Sequence, residues 1–299
     1  MSKRYGVNYQ GSKNQIARDI VAVLPSGKRF VDLFAGGCAI THAAVESKKW
    51  EKFLVNDLHG LGVKLFIGGI RGEFNGRFDK WVSREEFYAK RDTDPLIACC
   101  WSFGNNQSQY LYGEDKEASA KYCFEVYQQK GKDEARRILK QLEIVPRLQA
   151  VEALQAVEAL QVDYQAVPHE DGDVVYCDIP YRTASEDGGG YRFLKRAGIG
   201  FDFERFYEWV RTRDYPVFVS EYTMPDDFVS IWSKEKVGLF KKTKDGAYHN
   251  HVEHLFLHER WTNEILAAQQ SAKIGIDLAP RPSQTVRATV RDAQLTFDF

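Results

Sequence analysis

The sequence lacks the features that mark several large classes of protein. None of its apolar runs approaches the roughly 18–20 residues that cross a bilayer, so we expect no membrane partner. The N-terminal MSKRYGVNYQGSK has no apolar signal-peptide core, which predicts a cytoplasmic protein. Five cysteines without a CxxC pair favour reduced thiols over disulfides or a zinc site. A net charge of −1 means that any nucleic-acid site needs locally concentrated basic residues.

An alternation of strand and helix patterns is present on both sides of a central region. Short apolar runs that end at glycine or proline predict strands, and longer periodic stretches predict helices. Before the central region the predicted elements are a helix over 15–24, a strand over 30–34, a helix over 39–48 and a strand over 53–57. After it they are a strand over 174–177, a helix near 203–212, a strand over 216–220 and a hairpin with arms 237–242 and 252–257, joined through Lys244-Asp245-Gly246. This order predicts an α/β protein with a doubly wound, Rossmann-like sheet.

The central region, residues 61–161, interrupts this alternation and reads as an insertion. At 148–161 the sequence LQAVEALQAVEALQ repeats a six-residue unit, and its helix-forming composition predicts a buried core helix. A partner-binding coiled coil is the alternative, for which the segment has few heptads. We therefore predict a main domain of residues 1–60 and 162–262, the insertion, and a flexible tail over 263–299.

Two strand ends carry features that suit a nucleoside pocket. Asp32-Leu33-Phe34-Ala35-Gly36-Gly37 is a strand-to-helix turn, where glycines let the backbone approach a ligand. Because G-x-G-x-x-G is absent, a pyrophosphate cradle is not indicated. Asp57 ends the next predicted strand and is placed to accept hydrogen bonds from ribose hydroxyls.

A third strand end lies in the stretch YCDIPYRT at 176–183. Pro180 has no N–H to donate to a neighbouring strand, so the strand has to end before it. Asp178 and Tyr181 then lie at the carboxyl edge of the sheet, which is where open α/β sheets bind ligands.

Four segments, in this order, resemble the Dam-like, D12-class DNA adenine-N6 methyltransferases, and especially their phage-type members. The segments are Tyr9-Gln10-Gly11-Ser12-Lys13, Asp32–Ile40, Asn56-Asp57 and Asp178-Ile179-Pro180-Tyr181. The resemblance implies a methyltransferase sheet with an inserted target-recognition region. It also implies site-specific methyl transfer from S-adenosylmethionine to adenine N6 in double-stranded DNA. Two positions depart from the family pattern, because Cys38 replaces a turn glycine and Ile179 replaces the first proline of DPPY.

The resemblance also implies residue roles. The cofactor-binding residues would be Tyr9, Gly11, Lys13, Asp32, Phe34, Ala35, Gly36, Gly37, Asp57 and Asp178, and the catalytic residues Asp178, Ile179, Pro180 and Tyr181. The Asp178 side chain and the backbone carbonyl of Ile179 would grip the two N6 hydrogens, and a backbone carbonyl survives the change from proline. Tyr181 would stack on the flipped base. Positioning and polar groups suffice for this chemistry, so no metal is expected.

Other residues are candidates for DNA contact. Side-chain amides pair with adenine edges and basic side chains with phosphates, which makes Asn105, Asn106, Gln107, Arg182, Arg192, Lys195 and Arg196 the predicted contacts. For the loop 182–196 an ordinary surface loop is the alternative. The histidines of HNHVEH at 249–254 fit a solvent-facing hairpin better than a metal site.

The last six residues, QLTFDF, resemble short peptides that bind the sliding clamp, and a frayed terminus is the competing reading. Four functions remain open at this point. Besides DNA adenine methylation, within or outside a restriction-modification pair, these are cytosine-N4 methylation, RNA adenine methylation and a non-catalytic DNA-binding role.

Overall fold

The structure, a computed structural model, describes residues 4–126, 135–181, 192–242 and 248–265. At 192–193, 236–242 and 248–251 it describes the backbone alone. The helices are α1 (Ala17–Val23), α2 (Ala39–Ser47), α3 (Leu61–Arg71), α4 (Arg84–Lys90), α5 (Pro95–Cys100), α6 (Glu114–Val126), α7 (Arg136–Leu142), α8 (Ile144–Arg147), α9 (Arg192–Arg196) and α10 (Phe203–Arg211). The strands are β1 (Arg29–Asp32), β2 (Lys52–Asn56), β3 (Val157–Leu160), β4 (Asp173–Asp178), β5 (Val217–Glu221), β6 (Phe228–Lys242) and β7 (Tyr248–His258). Among these described residues no helix is both long and apolar enough to span a bilayer.

The described strands form a seven-stranded sheet in the order β3-β2-β1-β4-β5-β7-β6. The first five are parallel, and β7 runs antiparallel to both β5 and β6. The predicted hairpin is confirmed, although its arms are longer than expected. Its predicted connection, Lys244-Asp245-Gly246, lies outside the described residues.

The sheet is buried on both faces, because alternate side chains of its central strands enter different cores. On β4, Val174 and Tyr176 join the core beneath α1, α2 and α3, whereas Val175 and Cys177 join the core beneath α10. Helix α10 covers that second face with four buried side chains and begins where Asp202 accepts a hydrogen bond from the backbone N–H of Arg205. Helices on both faces of a mostly parallel sheet confirm the doubly wound α/β prediction.

Strand β1 lies between β2 and β4, so the direction of the sheet's winding reverses at β1. The polypeptide proceeds from β1 to β2 and β3 on one side, and then crosses to β4 and β5 on the other. Register places Asp32, the last residue of β1, beside Tyr176 of β4, with Asp178 two residues further on. The carboxyl ends of β1 and β4 therefore form the crevice in which doubly wound proteins bind ligands.

The insertion is helical, with α3 to α8 and one isolated bridge between Ser102 and Tyr110 among its described residues. The predicted core helix at 148–161 is wrong. Short 3-10 turns occupy Leu148–Ala150 and Glu152–Ala156, and Val157–Leu160 is an edge strand parallel to β2. The tetrapeptide VEAL forms a 3-10 turn at 152–154 and a strand at 157–160, so tertiary pairing overrides its helix propensity.

Candidate active site

A cavity of about 330 Å³ opens at the crevice between β1 and β4. Its wall includes every residue predicted to bind a cofactor and three of the four predicted to be catalytic. Those residues are Tyr9, Gly11, Lys13, Asp32, Phe34, Ala35, Gly36, Gly37, Asp57, Asp178, Pro180 and Tyr181. The Asp178 carboxylate thus shares one space with the glycine turn and the end of β2.

Asp57 holds the glycine turn in shape. Its Oδ2 accepts a hydrogen bond of 2.9 Å from the backbone N–H of Gly36, and its Oδ1 accepts from the N–H groups of His59 and Gly60 at 3.0 and 3.1 Å. A carboxylate has about four acceptor positions. Asp57 is therefore a structural anchor of the turn and retains acceptor capacity toward the cavity.

Tyr9 packs tightly against the turn, which explains its glycines. A Cβ added to Gly36 would lie 2.8 Å from the Tyr9 ring, and one added to Gly37 would lie 2.7 Å from Tyr9 Cβ. Both distances are shorter than real carbon contacts allow, so a side chain at either position would displace the N-terminal segment. Cys38, which follows, has φ +56° and is fully buried, a conformation that glycine adopts with less strain.

Asp32 is a buried acid at the base of the cavity, with 1% of its surface exposed. Its Oδ2 accepts a hydrogen bond of 2.8 Å from the Thr41 hydroxyl, whereas its Oδ1 accepts none from any described residue. Burial raises the pKa of Asp32 to about 7, and the nearby charges of Asp178 and Asp57 act in the same direction against the Thr41 hydrogen bond. The cavity base therefore carries a carboxyl group that a cation would stabilise in its ionised form.

Asp178 forms an ion pair with Lys13, whose Nζ lies 2.5 Å from Asp178 Oδ1. Lys13 is 1% exposed. Its burial would by itself lower its pKa, but the carboxylates of Asp178 and Glu253 hold that pKa above the ordinary 10.5. Lys13 was expected to contact a cofactor. The structure places its ammonium group against the predicted catalytic acid and the hydroxyl of Tyr181.

The other residues of the DIPY segment face different surroundings. The Ile179 side chain is 0% exposed and packs in the core beneath α10, so it does not enter the cavity. The Tyr181 ring stacks on Tyr222 with 4.4 Å between centroids and 23° between planes, and its hydroxyl donates to Glu253 Oε1 at 2.7 Å. The segment thus combines one apolar anchor, Ile179, with three residues that line the cavity.

An aromatic group lies at one end of the cavity, and sequence reasoning identified only Phe34 of its three rings. Phe34 lies 5.4 Å from Tyr164 and 5.6 Å from Phe201, measured between ring centroids, and all three rings line the cavity together with Asp163. Asp163 and Tyr164 follow β3 closely. Because β3 was read as helix, the signal of a fourth strand end was lost.

Of the predicted DNA-contacting residues of the insertion, Asn105 and Asn106 have hydrogen-bonded side chains, whereas the Gln107 amide is buried without a hydrogen bond from the described residues. The Asn105 side chain donates to Cys99 O and to Gln141 Oε1, and Gln107 is 0% exposed. The Asn106 side-chain oxygen accepts from backbone N–H groups of its own loop. None of the three presents a freely exposed amide edge, and their role in reading bases stays a prediction.

Arg196 of α9 reaches the same loop. It bonds to Asp92, to Ser108 Oγ at 2.8 Å and to the backbone oxygen of Gln107 at 2.8 Å. Lys195 lines the cavity. Arg182 and the side chain of Arg192 lie outside the described residues, as do the side chains of His249 and His251 and the QLTFDF segment.

The chain was compared with known families. The family model of the D12 class N6 adenine-specific DNA methyltransferases matches residues 9–195, which is more than half of the 299 residues. The matched range contains the glycine turn, the insertion and the DIPY segment, and ends before β5. No curated protein sequence matches this one.

Proposed function

The chain belongs to the D12 class N6 adenine-specific DNA methyltransferase family, and we propose that the cavity between β1 and β4 is its catalytic centre. The family methylates adenine N6 in DNA and implies the use of S-adenosylmethionine. What we add is the assignment of the donor site, of the groups that hold the target amine, and of double-stranded DNA as the substrate.

The residues of the cavity fit S-adenosylmethionine in charge and shape. Its amino acid part carries an ammonium group, and Asp32 Oδ1 is a buried acceptor without a hydrogen bond from the described residues. Asp57 at the neighbouring strand end suits ribose hydroxyls. The rings of Phe34, Tyr164 and Phe201 form an apolar end of suitable size for a base. When bound, S-adenosylmethionine would supply a methyl carbon activated by its positively charged sulfur.

The protein's own contribution to catalysis is to grip the amine. The lone pair of adenine N6 is delocalised into the ring, so the nitrogen is a poor nucleophile until both of its hydrogens are held by acceptors. We assign the Asp178 carboxylate and the backbone carbonyl of Ile179 to this task. Burial of the Ile179 side chain in the opposite core fixes this carbonyl, and Pro180 restricts the backbone of Ile179 to extended conformations. The Asp178 carboxylate would also accept the proton that N6 releases after methyl transfer.

Access to the amine requires the adenine to leave the duplex. We propose that Tyr181, braced by Tyr222, provides the stacking surface for the flipped base. We also propose that the insertion, from α3 up to the start of β3, reads the target sequence, while residues 1–60 and 162–262, together with β3, form the catalytic unit.

A direct assay tests this assignment. The purified protein is incubated with labelled S-adenosylmethionine and unmethylated genomic DNA, and the nucleosides are then separated. We expect N6-methyladenine from the wild type, whereas Asp178→Ala should lower transfer on the order of 10³-fold with cofactor affinity largely retained. Asp171→Ala is the matched control, because Asp171 is exposed near the opposite end of β4.

Three results would overturn the proposal. Near-normal turnover by Asp178→Ala would remove Asp178 from the catalytic centre. N4-methylcytosine in place of N6-methyladenine would refute the target base, and activity on RNA alone would refute the duplex substrate.

Two further proposals concern location and partners. We propose that the protein is cytoplasmic, because all five of its cysteines are free thiols, which suits a reducing compartment. We also propose that the terminal QLTFDF binds a sliding clamp and so brings the enzyme to replicating DNA. A synthetic peptide of residues 290–299 titrated against purified clamp tests this, and no binding at high micromolar concentration would reject it.

A further inference from the structure

Glu253 is a buried carboxylate that contacts the DIPY segment from outside the cavity lining. It lies on β7, outside the range that the family model matches, and it is 0% exposed. Its Oε1 accepts a hydrogen bond of 2.7 Å from the Tyr181 hydroxyl and lies 3.4 Å from the Nζ of Lys13. Lys13 is in turn 2.5 Å from Asp178. One side chain of β7 therefore touches both the ammonium group that pairs with Asp178 and the ring proposed as the stacking surface.

The fold itself does not explain this carboxylate. Strand β7 is held to β5 by backbone pairing at Phe256, Leu255 and His254, and its inward residues Leu255 and Leu257 are fully buried. Buried ion pairs contribute little net stability, and apolar residues of similar volume often replace them without loss. A charged group at this place is better explained by its effect on its neighbours.

The neighbours of Glu253 share one ammonium group. Lys13 is fully buried between Asp178 and Glu253, so the two carboxylates compete for the same donor. Without the charge of Glu253, the ammonium group would be drawn entirely to Asp178 and would occupy oxygen atoms that have to accept from the target amine. The Tyr181 hydroxyl would also lose its charged acceptor, and charge-assisted hydrogen bonds are the stronger kind.

We propose that Glu253 is a positioning residue for methyl transfer, which fixes the Lys13 ammonium and the Tyr181 ring so that Asp178 faces the substrate amine. This inference rests on the proposed roles of Asp178 and Tyr181. It extends the catalytic unit to β7 and gives the C-terminal hairpin a part in the reaction.

The test is Glu253→Gln, which keeps the shape and an acceptor oxygen but removes the charge. We expect the single-turnover rate of methyl transfer to fall roughly 10²-fold, the order of loss from a misplacement of about 1 Å. The dissociation constant for S-adenosylmethionine should change little, since Glu253 does not line the cavity. Glu235→Gln is the control, because Glu235 is an exposed residue of the neighbouring strand β6 and should leave the rate unchanged.

Tyr181→Phe also removes the hydrogen bond between Tyr181 and Glu253, because it deletes the hydroxyl that donates, and it keeps the ring. If Glu253 acts through Tyr181 and Lys13, the double variant should be no slower than the slower single variant. Tyr181→Phe also carries the test if Glu253→Gln folds poorly, since it too should slow the transfer step with cofactor affinity retained.

The outcomes separate this inference from the proposed function. If Asp178→Ala is inactive while Glu253→Gln transfers methyl groups at the wild-type rate, the inference fails and the proposed function stands. A loss in Glu253→Gln that is fully explained by weaker cofactor binding, or strict additivity with Tyr181→Phe, also overturns it. If Asp178→Ala is active, the proposed function itself fails.

Discussion

Replacing Asp32 by asparagine should change the stability of the ligand-free enzyme in a pH-dependent way. Burial raises the pKa of Asp32 to about 7, against 3.8 for the same group in an unfolded polypeptide. Between these values the unfolded state releases the Asp32 proton while the folded state keeps it. Stability of the wild type therefore falls as pH rises through this window, and Asp32→Asn lacks this loss.

The size of the effect follows from the two pKa values. The gap between 3.8 and about 7 corresponds to about 4 kcal/mol at 1.36 kcal/mol per pH unit. From pH 5 to pH 7 the variant should therefore gain about 2 kcal/mol relative to the wild type, and only about 0.4 kcal/mol more from pH 7 to pH 8, as Asp32 finishes ionising in the folded state. The Asn amide would sit where Asp32 Oδ1 accepts no bond from the described residues, at a cost of about 1–3 kcal/mol. That cost is independent of pH, so it cancels when the difference in stability at one pH is compared with the difference at another.

Urea unfolding of both proteins at pH 5, 6, 7 and 8 measures the difference, provided that the urea dependence of the unfolding free energy is the same for both. Every other titrating group is common to the two proteins, so the difference curve isolates Asp32. A flat curve, or a variant that becomes relatively less stable as pH rises, would refute the reasoning. The same variant should bind S-adenosylmethionine more weakly at pH 8, because the ammonium group would lose its ionised partner.

Two smaller predictions concern the turn and the loop beside the cavity. Cys38→Gly should change the free energy of unfolding by less than about 1 kcal/mol, because relief of strain at φ +56° offsets the added backbone freedom and the lost buried thiol. Cys38→Val should be clearly destabilised in thermal unfolding. Equal stability of the two variants would contradict this prediction. Arg196→Ala should weaken DNA binding without changing its salt dependence, since Arg196 is already bonded to Asp92 and Ser108. If Arg196 is instead a phosphate contact, the slope of log affinity against log salt should decrease by about one.

The fold was predictable where local pattern and burial agree. The strands β1, β2, β4 and β5 are short apolar runs ended by turn residues, and each was predicted to within about two residues, the usual error at element ends. Strand β3 was not, because Val157–Leu160 has the same four residues as the 3-10 turn region before it. Of the two VEAL segments, only the second pairs with the free edge of β2, and this pairing makes it a strand. That edge is a property of the assembled sheet, which a window of sequence does not contain.

The residues of the candidate site were likewise predictable only in part. The turn and the DIPY segment were recognisable because each is a continuous stretch with characteristic residues at a fixed spacing. Glu253 and Tyr222 were not, since they reach Tyr181 from positions far along the sequence. Lys13 was identified as a site residue with a different partner, because its contact with Asp178 joins positions 165 residues apart.

The two departures from the family pattern, at Ile179 and Cys38, are both compatible with the proposed reaction. A proline at this position would present its ring, whereas isoleucine presents a larger apolar group, which the structure buries fully in the core beneath α10. The backbone carbonyl is unaffected by the exchange, and Pro180 still restricts the backbone before it. Cys38 likewise keeps the glycine-like backbone conformation of the first turn with a small buried thiol. In both places the exchange leaves the backbone geometry that the proposed reaction uses, and the side group packs in the core and does not line the cavity.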